Sequence, residues 1–155
     1  MPKHPTDLKP ESWHRYFAME SNNRAWALSV KERSEQEDQD MLHAAHAAAL
    51  HWQKVGTELH HMRATMLLAE VHALLGFGAS AFRYAQQMRD FFLQKDTPDW
   101  ELAFTHAIHA HAAQVVGEDE VYKASYHEAT KAIEAIVDPK DREIVLNTFE
   151  HVPKP

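Results

Sequence analysis

Apolar residues recur at helical spacing along this chain, and twice a long helical segment ends in a branched-aliphatic pair plus glycine, at Leu74-Leu75-Gly76 and Val115-Val116-Gly117. Each is followed by a second helical segment, so a helix, turn, helix unit occurs twice, about forty residues apart. Sliding one copy onto the other pairs Leu67 with Ile108, Ala69 with Ala110, Leu75 with Val116, Ala85 with Tyr126, Met88 with Ala129 and Phe92 with Ile133. Repetition at this period marks a stack of helical hairpins, in which each hairpin buries its apolar face only against its neighbours.

Turn and cap residues divide the rest. Residues 1–11 read as an extended, proline-bearing arm, and a first helix is predicted from about Ser12 to Arg33 with a weak spot at Ser21-Asn22-Asn23. The acidic run Glu32 to Asp40 contains the turn and the first turn of helix two, which extends to Val55 and stops at Gly56. Thr57 caps helix three, which runs to Leu75, and helix four lies between Ala79 and Gln94. Thr97-Pro98-Asp99 supplies an N-cap, a proline at the first helical position and a first-turn acid for helix five. Gly117 ends helix five, Glu118-Asp119-Glu120 opens helix six, and Asp138-Pro139 opens a short seventh helix to about His151. The expected fold is therefore all-α: three stacked antiparallel hairpins plus a short C-terminal capping helix, in one domain over residues 12–152.

Composition agrees with this expectation. Four glycines and seven prolines leave little material for strands and loops, and a chain of 155 residues suits one domain that buries roughly 70% of its unfolded surface. With no cysteine, disulfides, thiolate nucleophiles and cysteine-based metal sites are excluded. The start, Met1-Pro2-Lys3-His4-Pro5, has no apolar signal region and no apolar run spans a bilayer, which makes a cytoplasmic protein the expectation. The net charge of -7, with basic residues scattered singly, disfavours nucleic acid and anionic membranes as partners. Thirteen histidines are the compositional outlier; charging them on the acid side reverses the sign of the net charge and predicts a solubility minimum around pH 6.

The arrangement resembles the tetratricopeptide-repeat (TPR) superfamily. A small residue midway along the first helix, a closing glycine, and small or aromatic residues on the second helix are matched by Ala69, Gly76, Ala81 and Ala85 in one copy and by Ala110, Gly117, Tyr122 and Tyr126 in the next. The period near forty exceeds that family's thirty-four and is shared by HEAT-like repeats, so both remain open. The stretches His51 to Thr57, Asp99 to Phe104 and Asp138 to Glu143 are similar to parts of a bacterial family of uncharacterised TPR-like proteins, over roughly residues 40–150. That resemblance implies a right-handed superhelix and no activity.

It also implies a concave groove lined by the first helix of each hairpin. Counting back from the closing glycines places Arg63, Met66, Glu70 and Ala73 on that face in the second hairpin, and Phe104, Ala107, His111 and Gln114 in the third. Arg63, Glu70, Phe104, His111 and Gln114 would together offer a guanidinium, a carboxylate, an aromatic ring, an imidazole and a carboxamide to an extended peptide or acidic terminus. The expected function is a non-enzymatic protein- or peptide-binding module without a cofactor, with self-association as a further possibility. Replacing Arg63 and His111 by alanine should then abolish capture at little cost in stability.

The alternative is a histidine-rich helical bundle that binds metal. No two histidines are four apart, but His43 with His46 and His106 with His109 are three apart and could share a helix face. His60 and His61 stand beside Glu58 in the one Glu-x-x-His match, at a helix start, where di-iron bundles need two. Serines 12, 21, 29, 34, 80 and 125 occur in no nucleophile elbow, so catalysis would require a serine brought beside a histidine by folding.

Overall fold

The computed structural model describes all residues 1–155 and is entirely helical. Its elements are α1 (Pro10–Ser29), α2 (Glu35–Val55), α3 (Glu58–Leu74), α4 (Gly78–Leu93), α5 (Asp99–Val116), α6 (Asp119–Glu134) and α7 (Pro139–Phe149). No helix is long and apolar enough to cross a membrane.

Local chemistry sets most of the ends. Ser34 begins α2 with a reciprocal capping box: its hydroxyl accepts the Glu37 N–H at 3.2 Å, and Glu37 Oε2 accepts the Ser34 N–H at 3.1 Å. At α3 the same device uses an imidazole, His60 Nδ1 accepting the Thr57 N–H at 3.1 Å. Asp138 accepts the Lys140 N–H at 2.8 Å with Pro139 in the first turn. Gly76 and Gly117 adopt φ of 79° and 90°, the left-handed turn that glycine enters without a Cβ penalty.

Helix α1 already begins at Pro10, inside the expected extended arm, and further local expectations are corrected. Helix α1 stops at Ser29 rather than Arg33, because Arg33 folds back to donate from Nη1 to the Leu28 carbonyl at 3.0 Å while its Nε donates to Asp38 at 2.7 Å. The guanidinium thus closes α1 and ties it to the first turn of α2. The Ser21-Asn22-Asn23 stretch stays helical throughout, its amides paired with each other rather than with the backbone. Pro98 occupies the N-cap of α5 instead of its first helical position, and the Thr97 hydroxyl donates backwards to Phe92 O at 2.7 Å.

Consecutive helices pack as hairpins, α1 on α2, α3 on α4 and α5 on α6. The odd-numbered helices also touch in sequence, α1 with α3, α3 with α5 and α5 with α7, whereas the main packing of each even-numbered helix is with its chain neighbours alone. Such a stack crowds its odd helices together and splays its even ones. As a result α3 and α5 are enclosed: Met66–Ala73 and Ala103–Ala113 are buried without interruption. Alanines at 69, 81, 85, 103, 107 and 110, all fully buried, let backbones approach, and Phe92, Met88, Ile108 and Ile136 fill the gaps. Burying a side chain of that size stabilises by about 2 kcal/mol. The terminal helix α7 covers the last hairpin as expected, Val145 lying in the main core.

Candidate functional site

A hollow of about 480 Å3 lies on the face of the odd-numbered helices. Asn22 and Trp26 of α1 with Val30 just past its end form one wall, Ile144 and Asn147 of α7 the other, and Arg63, Met66, Trp100, Glu101 and Phe104 of α3 and α5 the floor. A side hollow of about 250 Å3 between Trp100, Phe104, Asp141 and Ile144 continues it along α7. Both volumes suit the apolar side chains of a bound segment or a small ligand.

Arg63 is fixed in this floor. Its Nε and Nη2 donate to the two oxygens of Glu101 at 2.6 and 3.0 Å, a bidentate pair, and its guanidinium lies 5.5 Å over the Trp100 ring. Glu101 is 2% exposed, so the carboxylate is sealed beneath an arginine side chain that is itself 41% exposed. That hydrogen bond, followed by the attraction of the Glu101 charge, holds the Arg63 pKa above its ordinary value. Nη1 makes no hydrogen bond within the protein. Phe104 packs on Trp26 at 5.7 Å and Trp100 at 6.3 Å, making an aromatic floor.

The remaining residues expected in the groove do not line this hollow. Glu70 and His111 lie on the same faces of α3 and α5, further along, and are closed over: Glu70 is 1% exposed and His111 6%. His111 Nδ1 stands 3.8 Å from Glu70 Oε2, too far for a hydrogen bond, and neither Glu70 oxygen has a hydrogen-bond partner in the protein. Gln114 is half-buried near the end of α5, away from the cavity. Register therefore identified the face, while α1 and α7 decide how much of it is open. Trp26, Trp100, Glu101, Ile144 and Asn147 were missed: α1 and α7 lie outside the two superposed copies, and Trp100 and Glu101 precede Phe104 in the first turn of α5.

The histidines are dispersed among the helix seams. His46 does not converge with His43; its Nε2 meets His72 Nε2 of α3 at 2.9 Å, and His43 is exposed in a separate shallow pocket. His14 and His51 join α1 to α2 through their Nδ1 atoms at 2.8 Å. His60 caps α3 and stacks on Trp52 at 4.2 Å, and His61 Nε2 hydrogen-bonds Trp52 O at 3.0 Å. His109 hydrogen-bonds Ser125 and Gln86 while the His106 Nδ1 has no partner, and no three His, Asp or Glu side chains stand together in metal-binding geometry.

Folding does bring serines beside two imidazoles. Ser80 Oγ is 2.6 Å from His72 Nδ1, and Ser125 Oγ is 2.7 Å from His109 Nδ1, whose Nε2 is 2.6 Å from Gln86 Oε1. The signal was present in the sequence: His72 and Ser80 lie four residues before and after Gly76, and His109 and Ser125 eight before and after Gly117, positions that an antiparallel hairpin places opposite one another. Their chemistry is that of buried structural links. Burial first, then His46 and Arg83, push the His72 pKa down to about 4; burial first, then Arg89 and His106, do the same to His109. An imidazole that weakly basic is a poor acceptor for a serine proton near neutral pH.

No family model, curated protein or solved structure matches this chain, so the cavity is interpreted from its own walls and chemistry.

Proposed function

We propose that this protein is a non-enzymatic, TPR-like interaction module that holds an extended segment of a partner protein in the groove between α1 and α7. The supporting observation is the pinned guanidinium of Arg63 in an aromatic floor: a buried carboxylate and a stacked indole fix it before any ligand arrives, so little side-chain entropy is lost on binding. Trp26, Trp100, Phe104 and Met66 receive an apolar side chain, and the free Nη1 of Arg63 with the Asn22 and Asn147 carboxamides engages carbonyl or carboxylate oxygens of the same segment. Cytoplasmic residence is part of this proposal, as the groove needs a protein-rich compartment.

Ile144 is 56% exposed on the groove wall, so Ile144→Glu places a charge in the hollow without touching the core. Partners captured from native extract by the wild type are expected to be lost with Ile144→Glu at unchanged melting temperature. A synthetic peptide from the captured partner should quench Trp26 and Trp100 fluorescence in the wild type alone. Equal capture by both proteins, or binding that leaves the indole emission unmoved, refutes the groove as the site.

A further inference from the structure

A second polar hollow, about 420 Å3, opens on the opposite side of the stack between α4 and α6, where those helices splay and expose α5 beneath them. Gln86 and Arg89 of α4, His109 of α5, and Glu120 and Ser125 of α6 line it. Arg89 is the anomaly. Of the four half-buried arginines, Arg33, Arg63 and Arg142 donate to carboxylates or carbonyls, but Arg89 makes no hydrogen bond and no ion pair with any protein group, and its Nε is shut off from solvent. Leaving a buried donor unmatched is unfavourable, and more so for a charged one.

The surrounding charges do not answer it. Glu120, the acid in the lining, is 92% exposed and turns to Lys123 at 3.4 Å. Asp90, next in sequence, is exposed and unpaired. Nearby His106 of α5, 8% exposed, has an Nδ1 with no partner either; burial first, then Arg89 from α4 and Lys131 from α6, oppose its charging, and Glu128 from α6 favours it. In the lining a guanidinium without a protein partner thus stands with the Ser125 hydroxyl and the His109 imidazole. We propose that this hollow binds a small oxyanion, a carboxylate or phosphate group, on Arg89 with Ser125 beside it. A guanidinium edge presents two parallel N–H groups that match two oxygens of such a group. Ser125 can turn its hydroxyl from His109 to the anion, and His109 Nε2–H keeps its bond to Gln86 Oε1 in either state. This site is independent of the α1–α7 groove.

The test follows the imidazole resonances of His106 and His109 by NMR while inorganic phosphate or acetate replaces chloride at constant ionic strength and pH. At least one of the two anions should shift them with saturation in the millimolar range, and the tighter of the two tells phosphate from carboxylate as the native group. Arg89→Gln should weaken that response at least tenfold, and Arg83→Gln, an exposed arginine of the same helix, should leave it intact. Arg89→Lys, which keeps the charge but loses the paired donors, serves as a second variant should Arg89→Gln fail to fold, and should weaken binding as well. Shifts that rise linearly without saturation for both anions, or a saturable response that survives Arg89 substitution, overturn the proposal.

Discussion

Acid should loosen this stack through two histidines, and the magnitude can be worked from their surroundings. His109 is 2% exposed and His72 8%. In the neutral state His109 donates from Nε2–H to Gln86, whose Oε1 only accepts, and takes the Ser125 hydroxyl on Nδ1. Ser80 donates to Phe77 O at 3.2 Å, so its oxygen accepts from His72 Nδ1–H, leaving His72 Nε2 to accept from His46. A second proton on His72 would face the His46 N–H at 2.9 Å, unless His46 changes tautomer. Both folded pKa values are depressed to about 4 from 6.5. The native state therefore binds fewer protons than the unfolded chain below pH 6.5, so stability is fully present above that value and falls as the pH drops toward 4. At 1.36 kcal/mol per unit, each histidine withdraws ~3 kcal/mol once the pH is below 4, and ~2 kcal/mol already at pH 5. Burial lowers the pKa of His46, His51, His60 and His106 as well, which adds in the same direction.

Urea unfolding followed by circular dichroism at pH 7.5 and pH 5 measures the effect, with His72→Asn/His109→Gln as the non-titrating comparison. The wild type is expected to lose at least about 4 kcal/mol between the two conditions from this pair. The double variant starts less stable at pH 7.5, having lost packing and hydrogen bonds, but should show a pH dependence smaller by that amount. An identical loss in both proteins would show that these two seams are not where the protons act.

Other perturbations have equally direct outcomes. Arg63→Ala strands the sealed Glu101 carboxylate and should cost about 3–5 kcal/mol by urea unfolding, whereas Arg63→Met/Glu101→Met should recover most of it; a silent single substitution would contradict the buried pair. Gly117→Ala meets no neighbouring atom within 4 Å, so its cost is the left-handed backbone alone, about 1–2 kcal/mol in a thermal melt. Ser34→Ala removes the capping box of α2 and should cost ~1 kcal/mol, read from the same melts.

What the sequence revealed was local. Gly76, Gly117, Asp138-Pro139 and the Ser34 region announced turns and caps because those residues act on backbone within a few positions of themselves. Hairpin pairing followed from the repeat, since Leu67, Ala69, Met88 and Ala110 and their counterparts are all buried as the superposition required. Arg63 and Phe104 line the hollow on the face that register with the closing glycines assigned them. The end of α1 was misjudged because Arg33 acts across the turn, on Leu28 and Asp38 at once. His46 was grouped with His43 by spacing, and the fold gave it His72 of another helix.

Glu70 and His111 show why register assigns a face and not its exposure. On an outer helix of a stack, a polar residue on the shared face meets solvent; on α3 and α5, each with neighbours on several sides, a residue in that register is open only where the flanking helices part. At Arg63 and Glu101, α1 and α7 stand apart across the hollow, and the guanidinium remains accessible. Further along the same faces, Glu70 and His111 have closed into a pair 3.8 Å apart, with the carboxylate oxygens accepting no hydrogen bond. Accessible polar chemistry thus gathers at the Arg63 end of this face, and Glu70 and His111 beyond it are enclosed. An exposed-site argument for His111 consequently fails on physical grounds: its replacement removes a group that no partner could reach without first separating α3 from α5.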